Sequence, residues 1–251
     1  METNIIEGLH LALKKQYRIL KDKLDNPKRI QFYNKFLKPN DLVYDVGANI
    51  GNRVHAFLDL GCKVVAVEPQ EACCRTLEKR FGNTIDIVKK GLGAQEDEKE
   101  MYISNESTLS TLSEEWIDSM KKNRFKEYNW DKTVKIPMTT LDHLIQQYGK
   151  PVFCKIDVEG YEYNVLQGLS QPVKFISFEY AVPENMNRMI DCINYCIHLD
   201  PDYKFNYSVG ESMQYQLPEF ICGTEMLKHV QTSEFLQSEF GDIYVSSSKL
   251  Q

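Results

Sequence analysis

Residues Asp41-Leu-Val-Tyr-Asp-Val-Gly-Ala-Asn-Ile-Gly51 form an apolar run that ends in a glycine-spaced turn, and Val64-Val-Ala-Val-Glu-Pro69 follows within one helix length. The apolar part of each stretch predicts a buried strand of an α/β protein. The glycines let the backbone come close to a ligand and leave N–H groups available at the start of the next helix. This pair of strands therefore indicates a cofactor that contains a nucleoside.

The spacing of the glycines distinguishes between cofactors. A dinucleotide fingerprint reads G-x-G-x-x-G, whereas Gly47 is followed here by Ala48 and Asn49, and the next glycine is Gly51. This turn is a poor cradle for a pyrophosphate. It fits the first motif of S-adenosylmethionine (SAM) methyltransferases, in which Asp45 and the turn meet the amino-acid end of the cofactor. The alternative is an ordinary strand-to-helix turn in another α/β protein.

Glu68 lies at the tip of the second predicted strand, where a carboxylate can accept both hydroxyls of a ribose. An acid at this place favours the interpretation as a SAM site over that of an ordinary strand-to-helix turn. The residues predicted to bind the cofactor are Asp45, Gly47, Ala48, Asn49, Gly51, Asn52, Glu68 and Pro69.

The composition narrows the range of partners. The chain has 251 residues, is 42% hydrophobic and carries a net charge of −6, so one main α/β domain is the default and bulk attraction to nucleic acid is not expected. No apolar stretch is long enough to cross a bilayer.

The seven cysteines follow no secretory leader, and reduced thiols in the cytoplasm are the simplest account of them. We expect Cys192 and Cys196, one helical turn apart, to be packing residues and not half of a metal site.

The sequence also predicts helices before this domain, an insertion within it and a strand pair near its end. Apolar residues at helical spacing predict one helix over about 3–25 and a second from Pro27 to Leu37. We interpret residues 1–38 as an N-terminal helical cap and 39–251 as the catalytic domain. The cap can cover the cofactor, form a homodimer contact or simply pack on the sheet. Residues 91–103 predict a β-hairpin insertion, and 205–209 with 242–246 predict a terminal antiparallel pair.

Further along the chain, acids recur at the tips of predicted strands, the edge at which ligands bind in parallel sheets. Asp157 and Glu179 join Asp45 and Glu68 there, and a cation is expected among them, either the sulfonium of SAM or Lys155. Lys155 and Asp157 are two apart on one strand, so they share a face and can form an ion pair. Asp157 then either takes a proton from an attacking hydroxyl that Lys155 orients, or caps the helix that begins near residue 159.

The neighbouring glutamates are expected to lie in different environments, some in the site and one on the surface. We expect Glu159 to face the crevice, Glu162 to be solvated on the next helix, and Glu179 to be a site residue. The candidate catalytic residues are thus Asp157, Glu179, Lys155 and Glu159. Asp157 and Glu179 could share a divalent cation, but no third ligand can be placed, so no metal residue is assigned and metal dependence is not expected.

These motifs together resemble the FkbM family of SAM-dependent methyltransferases over about residues 40–246. The resemblance rests on Asp45-Val-Gly-Ala-Asn-Ile-Gly51, Val67-Glu-Pro69, Thr140-Leu-Asp142, Lys155-Ile-Asp-Val-Glu-Gly-Tyr-Glu162, Val165-Leu-Gln-Gly168, Phe178-Glu179 and Phe240-Gly-Asp-Ile-Tyr244. It implies a class I methyltransferase fold, Rossmann-like, with a mostly parallel seven-stranded sheet, helices on both faces and an antiparallel C-terminal strand. It also implies SAM as cofactor and O-methylation of a sugar, glycan or secondary metabolite, with residues 155–162 framing the acceptor pocket.

Several functions compete with this one. The same fold can methylate a carboxyl, peptide or lipid acceptor, and a non-catalytic SAM-binding protein would keep the cofactor residues without the acids at the acceptor end. The retention of those acids argues against the latter. A nicotinamide oxidoreductase is disfavoured by the missing G-x-G-x-x-G pattern. The expected partners are a small-molecule or glycan acceptor and a possible second copy of the chain, with no nucleic acid and no membrane insertion.

Overall fold

The computed structural model describes residues 21–122 and 124–247. Its helices are α1 (21–33), α2 (Asn52–Asp59), α3 (Glu71–Phe81), α4 (Glu114–Lys122), α5 (Leu141–Tyr148), α6 (Glu162–Leu166), α7 (Met186–Leu199), α8 (Gly223–His229) and α9 (Ser233–Leu236). Its strands are β1 (Leu42–Val46), β2 (Lys63–Val67), β3 (Asp86–Val88), β4 (Gly91–Leu92), β5 (Glu98–Ile103), β6 (Lys132–Thr139), β7 (Phe153–Ile156), β8 (Phe175–Ala181), β9 (Lys204–Val209), β10 (Ile221–Cys222) and β11 (Phe240–Ser246).

The main sheet has eight strands in the order β10-β9-β11-β8-β7-β1-β2-β3. The five strands from β8 to β3 are parallel, whereas β11 pairs antiparallel with both β8 and β9. This confirms the predicted class I methyltransferase fold with its antiparallel C-terminal strand. The count exceeds the predicted seven because the two-residue strand β10 adds to the edge beside β9.

Burial of the central strands on both faces explains their sequences. All four residues of β7 and four of five in β1 are buried, so these strands read as apolar runs without polar alternation. On one face, α1 and α2 pack Tyr33 and Phe57 against Phe153. On the other face, α5, α6 and α7 cover a larger apolar cluster. Charged residues inside this core therefore require a specific reason.

The predicted hairpin at 91–103 is wrong. Strand β6 lies between β4 and β5, pairing parallel with β4 and antiparallel with β5. Ile136 and Met138 of β6 pack against Met101 of β5 and form a small separate core. These apolar partners of β5 lie more than thirty residues further along the chain. The prediction was wrong because it paired the two strands that are closest in the sequence.

The helix boundaries in the N-terminal segment also differ from the prediction. Most of the first predicted helix lies outside the described residues, and α1 runs through Pro27 without the expected break. A proline inside a helix costs one backbone hydrogen bond. Asn26 Nδ2 donates to Asp59 Oδ2 of α2 at 2.7 Å, which holds α1 in place, and Arg29 Nη1 donates to Asp22 Oδ1 at 2.6 Å across the proline within the helix.

The cysteines do not form disulfides, and six of the seven are buried. Cys192 and Cys196 belong to the large apolar cluster under α7, which confirms the packing interpretation. Within the described ranges, the structure contains no helix with the length and apolar character needed to traverse a bilayer.

Candidate active site

The turn after β1 brings three segments into close contact. Gly47 has φ +81°, and its amide N–H donates to the carbonyl of Val67 at 3.0 Å. A Cβ at this position would lie 1.8 Å from the backbone oxygen of Asp157. The turn, the end of β2 and the end of β7 therefore meet at a point where only glycine fits.

Glu68 lies beside this turn and is 2% exposed. Its Oε2 accepts from the amide of Asn49 at 2.8 Å and its Oε1 from the amide of Gln70 at 2.7 Å. Burial raises the pKa of Glu68 to about 7, and the amide bonds oppose that rise. Each oxygen keeps a second lone pair for a ligand hydroxyl. The geometry thus suits the predicted contact with a ribose.

Glu68 lines a cavity of about 230 Å³ at the carboxyl ends of the parallel strands, which we call the crevice. Seven of the predicted site residues line it, namely Gly47, Asn49, Glu68, Pro69, Asp157, Glu159 and Glu179. Other lining residues were not predicted, among them Gln70, Lys90, Leu92 and Glu211. Gln70, Lys90 and Glu211 follow strand ends and Leu92 lies in β4, but their residue types did not indicate a site in the sequence.

The Ser/Thr-rich segment 104–113 crosses one side of the crevice. Gln70 Nε2 donates to the carbonyl of Ser107 at 3.0 Å, and Thr111 Oγ1 donates to the carbonyl of Glu159 at 2.6 Å. Ser107, Thr108, Ser110 and Thr111 all line the cavity. The segment is thereby bonded to the loops after β2 and β7, so its hydroxyls are held next to the ligand space.

The predicted ion pair between Lys155 and Asp157 is present. Lys155 Nζ donates to Asp157 Oδ2 at 2.6 Å, and Lys155 is only 2% exposed. The alternative role of Asp157 as a helix cap is not observed, because α6 begins at Glu162 with Tyr161 before it and has no side-chain cap. The ion pair accounts for a lysine inside an apolar strand.

Asp157, Glu159 and Glu179 line the crevice and form a three-carboxylate cluster. One oxygen of each lies within 4.8 Å of the others. Burial raises the pKa of Glu159 and of Glu179 well above the usual range, and the neighbouring carboxylates raise both further. Glu159 completes this cluster by adopting a left-handed backbone with φ +56°, which the sequence did not reveal.

Glu162 is not solvated as expected. It is 3% exposed, and its Oε1 accepts from the amides of Val158 and Gly160, both at 3.1 Å. Burial raises its pKa to about 7. Glu162 therefore stabilises the loop after β7 by accepting hydrogen bonds from its backbone amides. The sequence did not indicate this role, because Glu162 was expected to lie one turn into a helix.

A second cavity of about 270 Å³, which we call the α1 chamber, adjoins the crevice. Gly47, Asn49, Thr108, Asp157 and Glu211 line both spaces. The predicted residues Asp45, Ala48, Asn52 and Lys155 line the α1 chamber only, whereas Gly51 lines neither cavity. A Cβ on Gly51 would meet Phe81 and Leu77, so this glycine lets α3 pack against the turn.

Charge is concentrated in the α1 chamber. Asp45 is 1% exposed, and burial raises its pKa to about 6 although Lys155 and Arg53 oppose the rise. Arg53 Nη2 pairs with Glu211 Oε2 at 2.6 Å. Within the described ranges, Asp45 Oδ2 and Arg53 Nε are buried without a hydrogen-bond partner. Arg53 and Glu211 were not predicted to belong to the site.

The family model described as the methyltransferase FkbM domain matches residues 45–223. No curated protein sequence matches the chain. Among solved structures, it is similar to a precorrin-6y C5,15-methyltransferase from Geobacter metallireducens (9% identity, 88% of this chain and 86% of that chain, TM-score 0.46). It is also similar to a TehB-like SAM-dependent methyltransferase from Corynebacterium glutamicum (9% identity, 94% and 99%, TM-score 0.44).

Proposed function

Because the chain belongs to the FkbM family and is a SAM-dependent methyltransferase, we propose that it transfers the methyl group to a hydroxyl of a sugar, glycan or glycosylated secondary metabolite. The three-carboxylate cluster beside the cofactor turn carries this proposal. A sugar hydroxyl is a very weak acid, so its methylation benefits from a general base more than methylation of an amine does.

In the proposed site, the adenosine end of SAM occupies the crevice, and Glu68 accepts the ribose hydroxyls. Glu179 is the general base that takes the proton of the attacking hydroxyl. Asp157, held by Lys155 at 2.6 Å, orients that hydroxyl toward the methyl carbon, and Glu159 keeps the pKa of Glu179 high. Most of the rate enhancement then comes from in-line positioning of acceptor, methyl carbon and sulfur.

Residues 39–251 form the methyltransferase domain in this proposal, and residues 1–38 form its cap. The proposed location is the cytoplasm, consistent with seven cysteines that form no disulfide. A homodimer is also proposed, with its contact on the cap. Size-exclusion chromatography with light scattering measures the oligomeric state directly.

The acceptor is identified by incubating the protein with labelled methyl-SAM and extracts of glycans and metabolites, followed by mass spectrometry of labelled products. Methylation of a carboxyl or peptide acceptor is the second candidate, because the same cluster could position other nucleophiles. An ether survives mild alkali and an ester does not. A base-labile label would therefore contradict the proposed hydroxyl acceptor.

We expect Glu68→Ala to weaken binding of S-adenosylhomocysteine (SAH) by about 100-fold, because two charge-assisted contacts to the ribose are lost. Isothermal titration calorimetry measures this change. Glu71→Ala is the matched control, since Glu71 is an exposed acid three residues away whose carboxylate pairs with Arg75. Equal affinities of Glu68→Ala and the wild type for SAH would refute the ribose contact.

The pH profile of kcat/KM tests the base. Only an ionised Glu179 can accept a proton, so activity should rise with pH through its raised pKa. Asp157→Asn removes a negative charge that raises the pKa of both Glu159 and Glu179. We therefore expect the rising limb of the profile to move to lower pH in this variant, whatever its maximal rate. A limb that stays in place or moves to higher pH would be inconsistent with this assignment.

A further inference from the structure

Helix α1 lies outside the segment that matches the family model, which begins at residue 45. Nevertheless, Lys21, Asp22, Asp25 and Arg29 of this helix line the α1 chamber. We propose that α1 completes the cofactor site and that Lys21 binds the carboxylate at the amino-acid end of SAM. The inference rests on the placement of the adenosine end in the crevice that is proposed above.

The two cavities match the two ends of the cofactor. The crevice holds Glu68 for the ribose, and the α1 chamber continues from the glycine turn with side chains of both signs. The amino-acid end of SAM carries an ammonium and a carboxylate, so it needs an acceptor and a cation. Asp45 Oδ2, which has no partner within the described ranges, is available to accept from the ammonium.

The ion pairs in the α1 chamber leave one cation for the carboxylate. Arg29 pairs with Asp22, Arg53 pairs with Glu211, and Lys155 pairs with Asp157, each at 2.6 Å. Lys21 makes no ion pair or side-chain hydrogen bond with any residue of 21–122 or 124–247. Its ammonium is therefore the lining cation whose charge is not already neutralised by another described residue.

Asp22 acts as a positioning residue that fixes α1 on the turn. Its buried carboxylate pairs with Arg29 and Arg80 at 2.6 Å and with His55 at 3.2 Å. Arg80 Nη1 in turn donates to the carbonyl of Ile50 and to Asn52 Oδ1, both in the segment that follows Gly47. Lys21, next to Asp22 in the chain, lines the same cavity as Gly47 and Asn49 of the glycine turn.

Binding of two ligands tests this assignment. SAH carries the amino-acid end, and 5′-methylthioadenosine lacks it. We expect Lys21→Met to weaken SAH binding about tenfold and to leave methylthioadenosine binding unchanged, because a single charge-assisted contact is removed. Lys23→Met is the matched control, since Lys23 is exposed on α1 and does not line the chamber; it should bind both ligands as the wild type does.

The outcomes separate this inference from the proposed function. If the wild type binds neither ligand, the placement of the cofactor fails, whereas equal SAH binding by Lys21→Met and the wild type overturns only the role of Lys21. A loss shared equally by both ligands also overturns it. Asp22→Asn should likewise lower the ratio of SAH to methylthioadenosine affinity. A merely structural role of Asp22 would weaken both ligands together and keep that ratio.

Discussion

Replacing Gly47 by alanine should abolish SAH binding and lower the free energy of unfolding by about 4 kcal/mol or more. The added methyl would lie 1.8 Å from the backbone oxygen of Asp157, so either the turn or the end of β7 must move. The obstruction is backbone, and no rotamer change relieves it. Because Asp157 and the turn line both cavities, the displacement would deform the whole ligand space.

Gly82→Ala is the matched control for this variant. Gly82 also has a positive φ, +55°, but a Cβ there has nothing within 4 Å. We expect it to cost only the strain of a backbone conformation that L-residues rarely adopt, about 1–3 kcal/mol, and to leave SAH binding intact. Denaturant unfolding and calorimetric titration measure both quantities. If Gly47→Ala bound SAH with the affinity of Gly82→Ala, the close approach of the turn to Asp157 would not be essential.

Local patterns were sufficient to predict the central fold. Strands β1 and β2 are apolar because both of their faces are buried, and the glycine turn between β1 and α2 follows from steric rules alone. The antiparallel pairing of β9 with β11 is likewise as predicted. The strands and the turn depend on residues close together in the sequence or on the period of a single element, whereas the pairing of β9 with β11 was predicted as the terminal pair that closes a methyltransferase sheet.

Other features that depend on distant partners were not predicted. Strand β6 separates β4 from β5 because its apolar side chains pack on β5, and no local pattern encodes that choice. Glu162 is buried because two backbone amides of the preceding loop donate to it. Arg53 belongs to the α1 chamber because a loop after β9 supplies Glu211. In each case the residue type is the same whether or not a partner is present, so the sequence alone does not reveal the contact.

Replacing Glu179 by glutamine should lower kcat by about 10²–10⁴-fold, the usual contribution of a general base, while SAH affinity remains that of the wild type. Glutamine keeps the shape of the side chain but cannot accept the proton. Glu179 sits on β8, where it pairs with Asp242 of β11, so its position is fixed more firmly than that of Glu159 in its loop. Single-turnover methyl transfer to the identified acceptor measures the chemical step.

The neighbouring acids supply the comparison that makes this assignment specific. Glu159→Gln removes the carboxylate that follows burial as the largest cause of the raised pKa of Glu179. It should therefore move the pH profile to lower pH with a smaller loss of maximal rate. Activity that survives exhaustive chelation would exclude a bound cation as the reason for the cluster. If Glu179→Gln retained full turnover while Glu159→Gln lost it, the proton would be taken by Glu159, and the loop after β7 would be the catalytic element in place of β8.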